Sequence, residues 1–135
     1  MKNYAFLVGI NNYPSAPLRG CVNDINDLAE FLVSCANFKA PEIRMLTDER
    51  ATTSAITEGL QRMVKDAKPG NRLLFHYSGH GVQLPTTDHE GELDGLDEAI
   101  CPFDFDWTQK HTLRDKDFVR LFRPVPKGVH FIWIS

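Results

Sequence analysis

The chain alternates short apolar runs with longer segments of helical periodicity. Residues 4–10 form a continuous apolar run, as expected of a strand that is buried on both faces. Apolar residues then recur at helical spacing over 23–36 and 53–67. Further strands are predicted at 42–47, 71–77 and 129–135, the last reaching the final residue. Strands separated by helices of this length predict an α/β fold, with a mostly parallel sheet and helices on both faces.

The remaining segments complete one predicted domain over residues 1–135. Residues 82–97 are polar and acidic, which predicts a long surface loop. A short strand is predicted at 98–103 and a third helix at 115–122. Asn23 or Asp24 is a candidate cap for the first helix, because both side chains can accept hydrogen bonds from the first backbone N–H groups of a helix.

Charge and composition argue against several classes of partner. The 135 residues carry a net charge of −3, and the Lys and Arg residues are scattered, so no nucleic-acid surface is expected. No apolar stretch has the length of a membrane span or the form of a signal peptide. The three cysteines, Cys21, Cys35 and Cys101, cannot all pair within the chain. Reduced thiols and a cytoplasmic location are therefore expected.

A candidate functional residue, His80, follows the third predicted strand. Active sites of open parallel sheets lie beyond the carboxyl ends of the strands. His80 stands between Gly79 and Gly81, and glycines allow a sharp turn and leave room for a substrate. Histidine side chains ordinarily titrate near neutral pH, so His80 is suited to general acid–base chemistry. The alternative is a histidine that only ends the strand in a polar loop.

A longer set of motifs resembles the metacaspases and their bacterial relatives, the orthocaspases. The central motif is His76-Tyr77-Ser78-Gly79-His80-Gly81. Other segments match in the same order along nearly the whole chain: Val8-Gly9-Ile10-Asn11 with Tyr13, Leu18-Arg19-Gly20-Cys21-Val22-Asn23-Asp24, Leu46-Thr47-Asp48, Pro69-Gly70, and Gly95-Leu96-Asp97-Glu98 with Pro102 and Asp104. The resemblance implies a caspase-like, three-layer fold and a cysteine-type endopeptidase.

The resemblance also implies a cysteine–histidine dyad that cleaves peptide bonds. His80 is expected to be the general base and acid, and the N–H of Gly81 to stabilise the oxyanion. In metacaspases the strand that resembles residues 129–135 is followed by Asp-x-Cys-His, so the resemblance implies a nucleophile past Ser135. The chain is therefore expected to be the histidine-bearing, N-terminal part of the domain, to be inactive alone, and to need the remaining C-terminal part as its partner.

The resemblance further assigns Cys21, Asp24 and Ser78 to the pocket for the residue before the cleaved bond. A carboxylate in such a pocket favours an Arg or Lys side chain, since a cation offsets the cost of removing the carboxylate from water. A peptide or protein substrate with a basic residue at that position is therefore expected. From the residues alone, Asp24 as pocket acid and Asp24 as helix cap remain equally open.

An acidic segment raises the question of calcium. Asp88, Glu90, Glu92 and Asp94 lie in the predicted loop, and Asp97 and Asp115 match positions that bind calcium in the family. Lys116 stands where the family usually has a second Asp, and an ammonium group has no lone pair to offer a metal. No cofactor and no metal site are therefore expected.

Two other functions remain open on the sequence. The first is a non-catalytic caspase-like scaffold or regulatory interaction domain. The second is another parallel α/β protein, which the missing G-x-S-x-G and phosphate-binding glycine motifs disfavour. A missing C-terminal part would leave the last strand as an exposed sheet edge, which predicts pairing with another chain or a tendency to associate.

Overall fold

The computed structural model describes residues 2–86 and 95–134. Seven strands and three helices follow one another along this part of the chain. The strands are β1 (Asn3–Gly9), β2 (Ile43–Thr47), β3 (Arg72–Ser78), β4 (Gly81–Pro85), β5 (Leu96–Ile100), β6 (Leu113–Arg114) and β7 (His130–Ile134). The helices are α1 (Cys21–Cys35), α2 (Thr53–Lys65) and α3 (Asp115–Phe122), with short 3-10 turns at Ala40–Glu42, Asp48–Arg50 and Gln109–His111.

Four of the strands form a parallel sheet in the order β2-β1-β3-β7. The two central strands are buried on both faces, because their side chains alternate between two apolar clusters. Ala5 and Leu7 of β1 pack on the side of α1. Phe6 and Val8 pack on the opposite side, with residues of α2 and α3. The predicted mostly parallel sheet, with helices on both faces in three layers, is confirmed.

A second, antiparallel sheet has the order β4-β5-β6. The prediction of a loop throughout 82–97 was wrong at its start, because β4 pairs with β5 over Gly81–Pro85. Only Leu84 of this short strand is buried, so the strand has almost no apolar pattern. The predicted strand at 98–103 ends earlier, at Ile100. Pro102 has no N–H for a ladder, and Phe103 donates its N–H to the carbonyl of Ala51 at 2.9 Å.

The first helix is capped by a residue that the sequence analysis did not single out. The helix begins at Cys21, after Gly20 at a φ of 88°. The side-chain oxygen of Asn11 accepts hydrogen bonds from the N–H groups of Cys21 (2.9 Å) and Val22 (3.3 Å). The predicted cap at Asn23 or Asp24 was therefore wrong. Asp24 lies within the first turn, where a carboxylate also interacts favourably with the helix dipole.

Within 2–86 and 95–134, none of the helices is both long enough and apolar enough to cross a membrane.

Candidate active site

The carboxyl ends of neighbouring parallel strands meet at one edge of the central sheet. The N–H of Ile10, after β1, donates to the carbonyl of Ser78 at the end of β3 (3.0 Å). Beside them, Asp48 at the end of β2 accepts hydrogen bonds from the N–H groups of Asn11 (2.8 Å) and Asn12 (3.0 Å). These bonds hold the segment 11–20, which connects β1 to α1, over the strand ends.

The imidazole of His80 lies at this edge and contacts the 11–20 segment. Its Nε2 is 2.7 Å from the carbonyl oxygen of Ala16. A carbonyl oxygen only accepts hydrogen bonds, so in the neutral ring Nε2 carries the proton and Nδ1 carries the lone pair. The ring also packs against the Tyr13 ring, with centroids 4.6 Å apart. His80 is partly exposed, so the ring is accessible rather than tucked into the core.

Two tyrosine hydroxyls hold the backbone of His80. The His80 N–H donates to the hydroxyl of Tyr13 (3.0 Å), and the hydroxyl of Tyr77 donates to the His80 carbonyl (2.7 Å). The two hydroxyls are 2.8 Å apart, and both contact the carbonyl of Cys101, at 2.8 and 2.9 Å. Burial raises the pKa of Tyr13 to about 12 and raises the pKa of Tyr77 as well. Both hydroxyls therefore keep their protons at neutral pH and can donate.

The two glycines beside His80 serve different purposes. A Cβ at Gly79 would come within 2.5 Å of the hydroxyls of both Tyr13 and Tyr77, so this position has no space for a side chain. Neither Gly79 nor Gly81 has a positive φ. The chain nevertheless bends at Gly79, so the expected turn is formed without a left-handed backbone conformation. At Gly79 the requirement is close approach of the tyrosines.

The backbone N–H of Gly81 points away from the neighbouring strand, β5. Residues opposite each other in an antiparallel ladder alternate between hydrogen-bonded and non-hydrogen-bonded pairs. The N–H of Cys101 donates to the His80 carbonyl at 3.0 Å, which is one of the two bonds of a hydrogen-bonded pair, while the His80 N–H donates to Tyr13 instead. Gly81 lies opposite Ile100, one step further on, in a non-hydrogen-bonded pair. Its N–H consequently points away from β5, on the side of β4 that pairs with no other described strand.

The structure brings Asp24 and Ser78 together, as the resemblance implies. The hydroxyl of Ser78 donates to the carboxylate of Asp24 at 3.2 Å, although the two residues come from β3 and α1. Asp24 is exposed, so its carboxylate remains available to a charged ligand. Cys21 is buried at the start of the same helix, one turn before Asp24.

None of the three cysteines has the surroundings of an activated nucleophile. All three are free thiols. Burial raises the pKa of Cys101 to about 11, which suppresses its thiolate form. Cys21 is buried, and Cys35 is exposed at the far end of α1.

A cavity of about 470 Å³ lies beside the end of β3, towards β7. It is open to solvent between the imidazole-bearing turn, the β4–β5 hairpin and α3. Its wall includes Ser78, Gly79, Gly81, Asp115, Phe118 and Trp133. The cavity gives access to the strand end next to His80.

The residues that match the family's calcium positions do not fit a calcium ion in this chain. Asp97 is fully buried, and its two oxygens are 3.0 Å from the Arg114 guanidinium and 3.2 Å from the Lys116 ammonium. Burial alone would raise the pKa of Asp97, but hydrogen bonds and charge from Lys116 and Arg114 outweigh it and lower this pKa. The carboxylate is thus already neutralised by two protein cations.

No group of three or more His, Cys, Asp or Glu side chains suited to a metal occurs among residues 2–86 and 95–134. Asp88, Glu90, Glu92 and Asp94 lie outside the described residues. Among the matched positions that are described, Asp97 fits calcium poorly, because Arg114 and Lys116 already hold both of its oxygens.

Sequence reasoning missed Asn11, Tyr13, Ala16 and Tyr77 as parts of the site. Tyr13 and Tyr77 did stand in the matched motifs, but their contact joins residues 64 positions apart. The role of Ala16 belongs to its backbone carbonyl, which no side-chain pattern reveals.

Comparisons with known proteins agree with this geometry. Residues 3–135 match the family model described as the metacaspase, peptidase C14 domain. The chain is 40% identical to Metacaspase-1 of Kluyveromyces lactis over 135 residues, and 39% identical to Metacaspase-9 of Arabidopsis thaliana over 143 residues. These alignments cover 95% and 99% of the chain. A crystal structure of a Geobacter sulfurreducens protein superposes with a TM-score of 0.80 at 26% identity, covering all of the chain and 50% of that protein.

The chain spans only part of these relatives. It covers 31% of the Kluyveromyces lactis protein and 42% of the Arabidopsis thaliana protein. The match nevertheless extends over almost every residue of this sequence, and the fold and motifs agree with it. The chain belongs to the metacaspase family of caspase-like cysteine peptidases, within the peptidase C14 domain.

Proposed function

We propose that this chain supplies the histidine half of a cysteine-type endopeptidase that cleaves after Arg or Lys. The observation that carries the proposal is the contact between His80 Nε2 and the Ala16 carbonyl, at 2.7 Å. This contact leaves the Nδ1 lone pair as the base. The nucleophilic thiol comes from outside the three cysteines of this chain, since each of them has another environment.

The chemistry follows from these positions. Nδ1 of His80 takes the proton of the thiol, the thiolate attacks the carbonyl carbon of the scissile peptide bond, and His80 returns the proton to the leaving amine. The N–H of Gly81, which points away from β5, donates to the oxyanion that develops. The thioester that is left on the nucleophilic cysteine then reacts with water, with His80 again as the base.

The pocket for the basic side chain is formed around Asp24. The Asp24–Ser78 hydrogen bond of 3.2 Å holds the carboxylate beside the end of β3, close to the turn that carries His80. Arg can bind a carboxylate through two parallel hydrogen bonds, and Lys through one. Cys21, buried one turn earlier in α1, contributes the less polar wall.

The activity is proposed to be independent of calcium, since Lys116 and Arg114 already neutralise Asp97. The proposed partners are a peptide or protein substrate and the remaining C-terminal part of the same domain. No nucleic acid or membrane is proposed as a partner. A reducing, cytoplasmic location suits three free thiols.

The test compares two proteins in the cleavage of a reporter peptide that ends in Arg. The first is the 135-residue chain, which is expected to release no product. The second is the chain joined to the rest of the catalytic domain of Kluyveromyces lactis Metacaspase-1, and cleavage after Arg is expected. His80→Ala should reduce that cleavage by about 100- to 10,000-fold.

The matched control is His130→Ala, at the opposite end of the sheet, which should leave the rate unchanged. A folded fusion whose rate is the same with His80→Ala would refute the role of His80. Product from the chain alone that disappears with Cys21→Ala would assign the nucleophile to Cys21 instead.

A non-catalytic scaffold remains the second candidate, and one observation favours it. β7 is an outer strand of the described parallel sheet, and it carries the partly exposed apolar side chains of Trp133 and Ile134 on opposite faces of that sheet. The same assay discriminates the two functions, because a scaffold retains binding but gives no cleavage in the fusion protein.

A further inference from the structure

We propose that the hydroxyls of Tyr13 and Tyr77 act as a positioning pair, which fixes the His80 peptide so that the imidazole keeps Nε2 on the Ala16 carbonyl and Nδ1 towards the nucleophile. The inference rests on the proposed function, since it concerns the same histidine. Neither tyrosine touches substrate in this account. Both act through His80.

The pair satisfies the His80 peptide from both sides. Tyr13 accepts from the N–H at 3.0 Å, while Tyr77 donates to the carbonyl at 2.7 Å. The same carbonyl accepts the N–H of Cys101 at 3.0 Å. The backbone N–H and the carbonyl of His80 are therefore both hydrogen-bonded, and a rotation of the His80 backbone would break two or three hydrogen bonds together.

The pair also connects three separate segments of the chain. Tyr13 comes from the segment after β1, Tyr77 from β3, and the carbonyl of Cys101, which contacts both hydroxyls, follows β5. The hydroxyls are buried with their rings. Hydrogen bonds in such surroundings are stronger than at the surface, and a missing partner is correspondingly costly.

Ring and backbone of His80 are controlled by the same short segment. Tyr13 and Ala16 are three residues apart, and the segment closes on itself through the bond from Leu18 N–H to the Asn11 carbonyl, at 2.7 Å. Tyr13 holds the His80 N–H and packs on the imidazole, while Ala16 holds Nε2. Loss of the Tyr13 hydroxyl should therefore allow a mixture of ring tautomers and also weaken the hydrogen bonding of the His80 backbone.

The test uses ¹⁵N-labelled chain and two NMR readouts that need no catalysis. At pH 8, the side-chain nitrogens of His80 report its tautomer, and hydrogen exchange reports the protection of its backbone N–H. Tyr13→Phe should reduce the protection of the His80 N–H by about tenfold, the loss expected for one hydrogen bond. The separation between the Nδ1 and Nε2 shifts should also shrink, as a mixture of tautomers replaces one.

Tyr77→Phe should shrink that separation as well, and the double variant should lose less than the sum of the two single changes, because the hydroxyls act on one peptide. Tyr4→Phe, at the other end of β1, is the matched control and should change neither readout. Amides of Leu73 and Phe75 in β3 should keep their protection in every variant, which separates positioning from general unfolding.

The proposal is overturned if Tyr13→Phe and Tyr77→Phe both fold and keep the wild-type tautomer and His80 protection. Should neither variant fold, the unaltered protein decides: a His80 amide that exchanges as freely as an unbonded one contradicts the pair. These NMR readouts do not depend on cleavage. If the variants change them as expected while the fusion protein cleaves no peptide, the peptidase proposal is refuted and the positioning pair is retained.

Discussion

Space around the His80 turn is limited by two phenol groups rather than by the backbone conformation. Tyr13 and Tyr77 would each lie 2.5 Å from a Cβ at position 79, whereas a Cβ at position 81 would meet only the Ala99 carbonyl, at 3.4 Å. The two glycines that flank His80 are thus required for different physical reasons. Only the first should resist substitution on steric grounds.

Gly79→Ala is expected to lower the free energy of unfolding by about 1–3 kcal/mol, the usual cost of overpacking. The tyrosine oxygens cannot move aside cheaply, since both are buried and hydrogen-bonded. Urea unfolding followed by tryptophan fluorescence measures the change. Gly81→Ala is the control and should lose much less. Equal losses in the two variants would show that the tyrosine hydroxyls do not limit position 79.

The site could be predicted from sequence only where side chains in a known motif carry it. Asp24 and Ser78 were placed in one pocket by resemblance, and the structure joins them at 3.2 Å. The Tyr13–Tyr77 contact could not be predicted, because it depends on how two strand ends 64 residues apart come together. Burial, not residue type, gives these hydroxyls their function.

At the scale of elements, the helices were predictable from their apolar periodicity and the short strand β4 was not. The third helix has the predicted bounds, 115–122, since its apolar side faces the core without ambiguity. Strand β4 has five residues with a glycine and a proline at its ends, so no pattern distinguished it from a loop. The cap of α1 was missed because Asn11 reaches the helix from ten residues away.

The elements β5 and α3 are joined by the buried carboxylate of Asp97, which predicts a dependence of stability on pH. Its pKa is lowered in the folded protein. The stabilisation is therefore complete above the unfolded pKa of about 3.9 and is lost as the pH falls further, through the folded pKa. Lys116→Met should lower the free energy of unfolding by about 1.5–3 kcal/mol at pH 7, and by less below pH about 4.

Lys110→Met, which removes an exposed lysine nearby, is the control for the change in net charge. Urea unfolding at a series of pH values measures both variants. A Lys116→Met effect that stays constant across this range would rule out Asp97 as its cause. Added calcium or a chelator should leave the melting temperature of the wild-type chain unchanged, and a rise with calcium would contradict the proposed calcium independence.

At the scale of the whole molecule, β7 is one of the two outer strands of the described parallel sheet, and β2 is the other. Trp133 and Ile134 on β7 are 40% and 41% exposed. Exposed apolar edge strands favour pairing with another strand, and the cavity beside His80 opens at the same end of the sheet. This edge is where the proposed function places the remaining part of the domain.

The central claim is that the strand ends form a pocket for a basic side chain beside His80. The most direct test is an NMR titration of the chain with N-acetyl-arginine amide, followed at the backbone amides. We expect shifts at Asp24, Ser78 and Gly81, an affinity at least about tenfold lower with Asp24→Asn, and no change with Asp27→Asn on the same helix. Shifts elsewhere, or equal binding of N-acetyl-norleucine amide, would contradict the account.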